Sequence, residues 1–296
     1  MNKRSPNVFV IGAGPVATVL AAGLRRGGVP VLGLWARRPD AARAAARAAG
    51  VAGFSSAPPD LLLESDVVIL AVRDDAIAEV AAMICGTGLV TRRHLLLHCS
   101  GANAAREVLG GVADKVGGVG TLHPLRALAD PSAAAAAGGL RGTVFGVEGD
   151  GVAQEVARQL IGAVGGVPLA LEPQQMATYH AAAAMASNYV VTLIDAAAQA
   201  LCAAGMPLEQ AVAALLPLAQ GALANVAERG AERGLTGPIR RGDGATVRRH
   251  LEALAARPQT RELYRALGLA TVALVERLES QLPSKDGLAE VRKSLG

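Results

Sequence analysis

The sequence predicts an α/β chain, a doubly wound parallel sheet followed by an all-helical second domain. Three observations carry that expectation. Residues 1–171 alternate short apolar runs with helical segments, a glycine-bearing turn joins the first run to the first helix, and strand signals stop from Pro173 onward. The apolar runs are mostly continuous rather than alternating, which means that both sheet faces are covered, as in parallel sheets wound with helices.

The elements justify themselves in order. NVFVIG (7–12), PVLGLW (30–35), DVVILAV (66–72), HLLLHC (94–99), GVGTLH (118–123) and GTVFGVE (142–148) read as strands, and GVPLAL (166–171) as a last short one. Between them DAARAAARAAG (40–50) reads as a helix, with Asp40 able to cap its start and Gly50 its end. Helical stretches then follow at roughly 173–204, 207–230, 245–256 and 259–281, punctuated by Gly205 and by GLTGPIRRGDG (234–244). The expected organisation is a nucleotide-binding domain over 1–171, a helical substrate and dimerisation domain over 172–281, and a polar tail over 282–296.

Composition sets the bounds. A chain of 296 residues is longer than one core usually supports, so two domains are expected. Hydrophobic residues at 51% and charged residues at 18% exclude a disordered chain. The net charge of +4 is mild, the Arg pairs are scattered, and aromatics at 2% leave little to stack on bases, so no nucleic-acid partner is expected. Cys85, Cys99 and Cys202 have no metal-type spacing and suit a reducing compartment; no metal site is expected. Lys3 and Arg4 before VFVIGAGPVATVLAAGL imitate a signal peptide, but the glycines fall where a phosphate-binding turn needs them. Glu64, Asp66, Asn188 and Asp195 interrupt the other apolar stretches, so no membrane span and a cytoplasmic location are expected.

The first strand runs into Gly12-Ala13-Gly14-Pro15-Val16-Ala17 and then an apolar helix. Gly12 permits the tight turn, Gly14 lets backbone approach a pyrophosphate, and Ala17 lets helix and strand pack closely, while the helix N-terminus favours the anion. This predicts a dinucleotide site that includes Pro15 and Val16. At the end of the second strand, where NAD and FAD sites place an acid, stand Arg37 and Arg38. Two guanidinium groups and no carboxylate suit a ribose 2′-phosphate, so the expected cofactor is NADP (NADPH).

Ligands of open α/β sheets lie at the carboxyl ends of strands, which places Val72, Arg73 and Asp74 beside the nicotinamide ribose, with Ser100 and His123 following the next two strands. HCSGA, TLHPL, YHAAAAMASNY and LTGPIRRGD together resemble a Rossmann-like family whose C-terminal domain has no assigned function. That family is related to ketopantoate reductase, pyrroline-carboxylate reductase, prephenate dehydrogenase and the β-hydroxyacid dehydrogenases, with a second domain like that of 6-phosphogluconate dehydrogenase. The resemblance implies that Ser100 contacts substrate, that His123 handles a substrate hydroxyl, and that the chain is a homodimer. It also exposes a departure. β-Hydroxyacid dehydrogenases and ketopantoate reductase carry a catalytic lysine early in the first helix of the second domain, and this helix has none; His180 lies in that region, the residue four later is Ala184, and the first amide is Asn188.

At about 100° per residue, a continuous helix over 173–204 would put Ser187 roughly 20°, Asp195 roughly 60° and Asn188 roughly 80° from His180, one polar stripe on an apolar helix. The 234–244 segment is longer than a helix-to-helix turn requires. It is expected to cover a cleft between domains and offer Thr236 or Arg241 to an anionic substrate, with Asp243 either beside them or capping the next helix. The expected function is an NADP-dependent oxidoreductase moving a hydride between NADP(H) and a small carbonyl, imine or hydroxyacid in that cleft. His123 or His180 would be the acid/base because histidine titrates near neutral pH, and Ser100 and Asn188 would orient the reacting atom. The alternatives are a non-catalytic NADP-binding sensor or scaffold, which the missing lysine favours, and an enzyme pairing NADP with a second hydride carrier such as a deazaflavin.

Overall fold

A computed structural model describes residues 5–128, 139–278 and 284–296. The chain divides into two compact units, Met1–Met185 and Ala186–Gly296.

The first unit is built on an eight-stranded sheet of order β3-β2-β1-β4-β5-β6-β7-β8. Its strands are β1 (Val8–Ile11), β2 (Val31–Trp35), β3 (Gly53–Phe54), β4 (Val67–Leu70), β5 (Leu95–His98), β6 (Gly118–Pro124), β7 (Val144–Gly149) and β8 (Val167–Ala170). β3 through β6 run parallel, as the continuous apolar runs imply. β7 then reverses against β6, and β8 runs parallel to β7 at the edge. The sheet is thus parallel for six strands and mixed beyond them. Two-residue β3, GF, is too short to leave a pattern in the sequence.

Helices α1 (Pro15–Arg26), α2 (Pro39–Ala49), α3 (Ile77–Gly86), α4 (Ala105–Leu109) and α5 (Gly151–Ala163) accompany the sheet. One apolar cluster joins Val8, Val10, Ile69, Leu97, Leu122 and Phe145 to α1 and α5. A second joins Phe9, Ile11, Val68, Leu70, Leu96 and Val119 to α3 and α4. Successive residues of one strand therefore enter opposite cores, which is why the runs are continuous. The α2 expectation is half corrected: Gly50 closes the helix in the left-handed region (φ 69°), but Arg38 is the N-cap, and Asp40 lies in the first turn, where it binds Arg43.

The expected domain boundary after residue 171 moves to 185/186, because the start of α6 (Met176–Ala186) is anchored on the sheet by buried Met176 and by Tyr179. The second unit holds α7 (Asn188–Ala203), α8 (Leu208–Gly234), α9 (Pro238–Arg241), α10 (Gly244–Ala253), α11 (Pro258–Glu276) and α12 (Lys285–Leu295). Two expectations are overturned here. The polar tail of 282–296 is a helix over 285–295, with Val291 and Leu295 buried against Val247, Val272 and Val275. The long 234–244 loop shrinks to short links around the single turn α9, whose Ile239 enters the same cluster.

Candidate active site

An open cleft of ≈ 750 Å³ lies at the carboxyl ends of β1, β2 and β4, lined by the glycine turn, Arg37 and Arg38, Val72 to Ala76, and Cys99. Gly12 has φ +133°, and a Cβ there would stand 2.1 Å from the Ala71 carbonyl oxygen, so only glycine fits. Ala17 is buried directly beneath, 3.4 Å from that same Cβ position. Gly14 is exposed, and nothing lies within 4 Å of where its Cβ would be. It caps α1 without a side-chain hydrogen bond, Pro15 takes the first helical position, and no acid occupies the first turn. Open space, free helix N–H groups and a positive dipole end are what a pyrophosphate needs.

Arg37 and Arg38 line the far end of this cleft, and the Asp40 carboxylate next to them is paired with Arg43. On the opposite wall Arg73 binds Asp75, its Nε 3.1 Å from Oδ1. Asp74 takes a different partner. Its Oδ2 accepts the Ser100 hydroxyl at 2.8 Å and Asn103 Nδ2 at 3.3 Å, while Ser100 Oγ accepts Asn103 Nδ2 at 2.9 Å. Ser100 is only 2% exposed. Its proton is committed to Asp74, so it organises the loop after β5 rather than standing open to a ligand.

Gly101, the next residue, forms the seat of His123. A Cβ on Gly101 would lie 2.7 Å from His123 Cε1. Across β6 and β7 the register pairs His123 with Gly146, and the Tyr179 ring lies over Gly146, its hydroxyl 3.0 Å from where a Cβ would be. Two bare glycine positions thus let two rings meet: His123 Nδ1 is 2.9 Å from Tyr179 Oη, with the rings edge-on. The exposed His180 ring stands 6.0 Å from His123 in a second edge-on pair. Burial, with His180 adding to it, pushes the His123 imidazole down to about 4, and burial pushes the Tyr179 phenol up. This corrects the reason given for His123: the ring sits too deep to titrate near neutral pH.

The structure brings together Asp74, Ser100, His123 and His180 within the first unit, and adds Tyr179, Asn103, Gly101 and Gly146, which sequence reasoning missed. Tyr179 was readable only as one apolar ring among alanines. The expected polar stripe is broken, because Ser187 (φ −125°, ψ −73°) interrupts the helix and divides His180 from Asn188 and Asp195. Asn188 and Asp195 lie on α7 of the second unit, where Ser187 Oγ donates to Asn188 Oδ1 at 2.8 Å. Thr236 and Arg241 are exposed there. Asp243 caps α10, accepting the Thr246 N–H at 3.0 Å and its hydroxyl at 2.7 Å, which together hold its carboxyl below the usual range. The capping role is the one the structure displays.

A glycine turn, an uncapped first helix and arginines at the second strand define a pyridine-nucleotide-dependent oxidoreductase fold. Residues 7–95 match the family described as NADP oxidoreductase, coenzyme F420-dependent, and residues 143–271 match DUF2520, a domain of unknown function. The first match covers β1 to β4, and the second runs from β7 into α11. No curated protein matches the sequence. Among solved structures, a Bacteroides fragilis protein assigned as an NADP oxidoreductase superposes with a TM-score of 0.71 at 21% identity, over 92% of this chain and 99% of that one. An imine reductase from Pseudomonas sp. gives 0.62 at 19% identity over 99% and 100%. The Plasmodium falciparum pyrroline carboxylate reductase with NADP bound gives 0.57 at 15% identity over 97% and 98%.

Proposed function

We propose that the chain is an NADP-dependent reductase or dehydrogenase of a small carbonyl, imine or hydroxyacid. The observation that carries this reading is the continuity, inside one unit, from the cleft through Ser100 and Gly101 to the His123–Tyr179–His180 cluster. The imine and pyrroline carboxylate reductases among the similar structures support the substrate class. Gly12, Gly14 and the α1 N-terminus would hold the pyrophosphate, with Pro15, Val16 and Ala17 shaping the turn. Arg37 and Arg38 would take a 2′-phosphate, which is the support for NADP over NAD. Bound reduced nicotinamide supplies the hydride; the chain's own residues bind, orient and move one proton.

At neutral pH Tyr179 Oη would hold that proton, since burial disfavours the phenolate, and neutral His123 would donate from Nδ1 to Oη, which leaves the phenol hydrogen for the substrate and steadies the oxygen once it is given up. Exposed His180 links the cluster to solvent. Val72, Arg73 and Asp74 form the wall next to Ser100. A cytoplasmic homodimer is part of the same reading, supported by the exposed Tyr189, Val191, Leu218 and Leu223 of the second unit.

Trp35, the one tryptophan, lines the cleft, so quenching of its fluorescence reports NADPH binding independently of turnover. NADPH consumption should appear with a member of a carbonyl and imine panel, and Tyr179→Phe or His123→Ala should cut it about 100-fold while NADPH affinity stays within about twofold. Normal turnover in both variants would remove the cluster from the chemistry. Tight binding with no turnover across the panel would make the protein an NADP sensor. A second reading, hydride exchange between NADP(H) and a deazaflavin, is favoured by the family matched over residues 7–95; a deazaflavin added to the same assay tests it directly.

A further inference from the structure

We propose that His98, Thr121 and Glu148 form a positioning wire that clamps both ends of the loop over residues 100–105 and thereby sets His123 and the Asp74–Ser100–Asn103 cluster for reaction. The proposal rests on the reading that the first unit carries the chemistry. The three residues are direct cross-strand neighbours, His98 opposite Thr121 and Thr121 opposite Glu148, so they share one sheet face on β5, β6 and β7. All three are buried, at 0%, 0% and 4% exposure. Polar groups that deep persist only when hydrogen-bonded, and these are.

The bonds have a direction. Ser100 N–H donates to His98 Nδ1 at 3.2 Å, so that nitrogen carries no proton. Burial holds His98 neutral, pushed down to about 4, which leaves its one proton on Nε2. Nε2 lies 3.2 Å from Thr121 Oγ1 and donates to it; the Thr121 hydroxyl then donates to Glu148 Oε2 at 3.4 Å. The same carboxylate oxygen accepts the Ala105 N–H at 2.7 Å. One end of the wire therefore grips Ser100 and the other Ala105. The Ser100 hydroxyl binds Asp74, and between the two ends sit Gly101, which seats His123, and Asn103, which braces Ser100. Thr121 and Glu148 also stand two residues from His123 and Gly146 on the same strands, hence on the same face as the ring pair.

A packing role alone would change stability and leave the kinetics of the folded enzyme alone, whereas a positioning role changes turnover. Three measurements on the full chain separate them. The imidazole ¹⁵N shifts of His98 in the wild type should show Nε2 protonated and Nδ1 bare; a protonated Nδ1 near neutral pH overturns the wire, and this readout needs neither a variant nor turnover, so it stands apart from failure of the reductase reading. Thr121→Val should lower kcat about 10- to 100-fold with the KM for NADPH within about twofold, because small misplacements of reacting groups are that costly. Thr121→Ser, which restores the hydroxyl, should return kcat to within about threefold. Unchanged kcat in Thr121→Val, or equal loss in both variants, overturns the proposal. Amide exchange at Ser100 and Ala105 should quicken about tenfold or more in Thr121→Val, and unchanged exchange at both also overturns it.

Discussion

The two units spend similar apolar residues in opposite ways. In the first, both faces of the central strands are covered by the unit's own helices, and strand residues such as Phe9, Val10, Ile69 and Leu97 are fully buried. In the second, one small cluster around Val247, Val272, Val275 and Leu295 closes α10 to α12, while Val191 of α7 and Leu218 of α8 are each 71% exposed. Segments 173–203 and 208–241 are even apolar and long enough by composition to cross a membrane, with only 6% of each window buried, so the charge interruptions noted in the sequence do not exclude a span there. Chain-internal packing covers the first unit's sheet apart from edge strand β8, which is exposed along its length. The second carries an apolar surface of the kind that marks an interaction site.

The largest effect that would break this contrast falls on the first unit's turn. Gly12→Ala sets a Cβ 2.1 Å from the Ala71 carbonyl oxygen at φ +133°, so β1 and β4 must part or the turn must re-form. Trp35 fluorescence should show NADPH affinity reduced by about 100-fold or more, since the turn and helix N-terminus both lose their alignment with the pyrophosphate. An unchanged titration would mean that the cleft is not the nucleotide site.

Acid should come next in size, and it should act on the first unit. His98 and His123 are held near 4 against an ordinary 6.5, both by burial first. Between those values the unfolded chain binds protons that the folded unit refuses, so stability is fully present above pH about 6.5 and is lost as pH falls toward about 4, by about 1.4 kcal/mol per group per pH unit at most. Thermal melts across that window should show the loss, and His98→Gln should reduce it by one group's share while His123, and His94, which burial also lowers, keep theirs. An equally steep fall in His98→Gln would place the acid sensitivity elsewhere.

Most of the sheet and the nucleotide turn were legible in the sequence because they depend on near neighbours: a glycine at positive φ, a strand running into a helix, a continuous apolar run. Strand ends could be located, and with them Asp74, Ser100 and His123. What could not be read was pairing across strands. Tyr179 meets His123 only because Gly146 stands opposite His123 in the β6–β7 register, and His98, Thr121 and Glu148 become one chain of bonds only when three strands are laid side by side. The helical wheel failed for a local reason, the break at Ser187, which no proline or glycine announces. The 285–295 helix was hidden by its charged face, since only Val291 and Leu295 show which side is buried.

The smallest expected effect on stability sharpens the contrast most. Val191→Ser and Leu218→Ser each alter a side chain that is 71% exposed, so in an isolated chain each should change stability by no more than about 0.5 kcal/mol. A second copy seated on α7 and α8 would turn the same substitutions into interface truncations and weaken association about tenfold or more. Sedimentation of wild type and variants over a range of concentrations reads the difference: a dimer that loosens in both variants, with melting temperatures of the dissociated chains unchanged, assigns the exposed face to self-association. A wild-type chain that sediments as a monomer at all concentrations removes that assignment, and a chain recovered only with bilayer vesicles gives the surface to lipid instead.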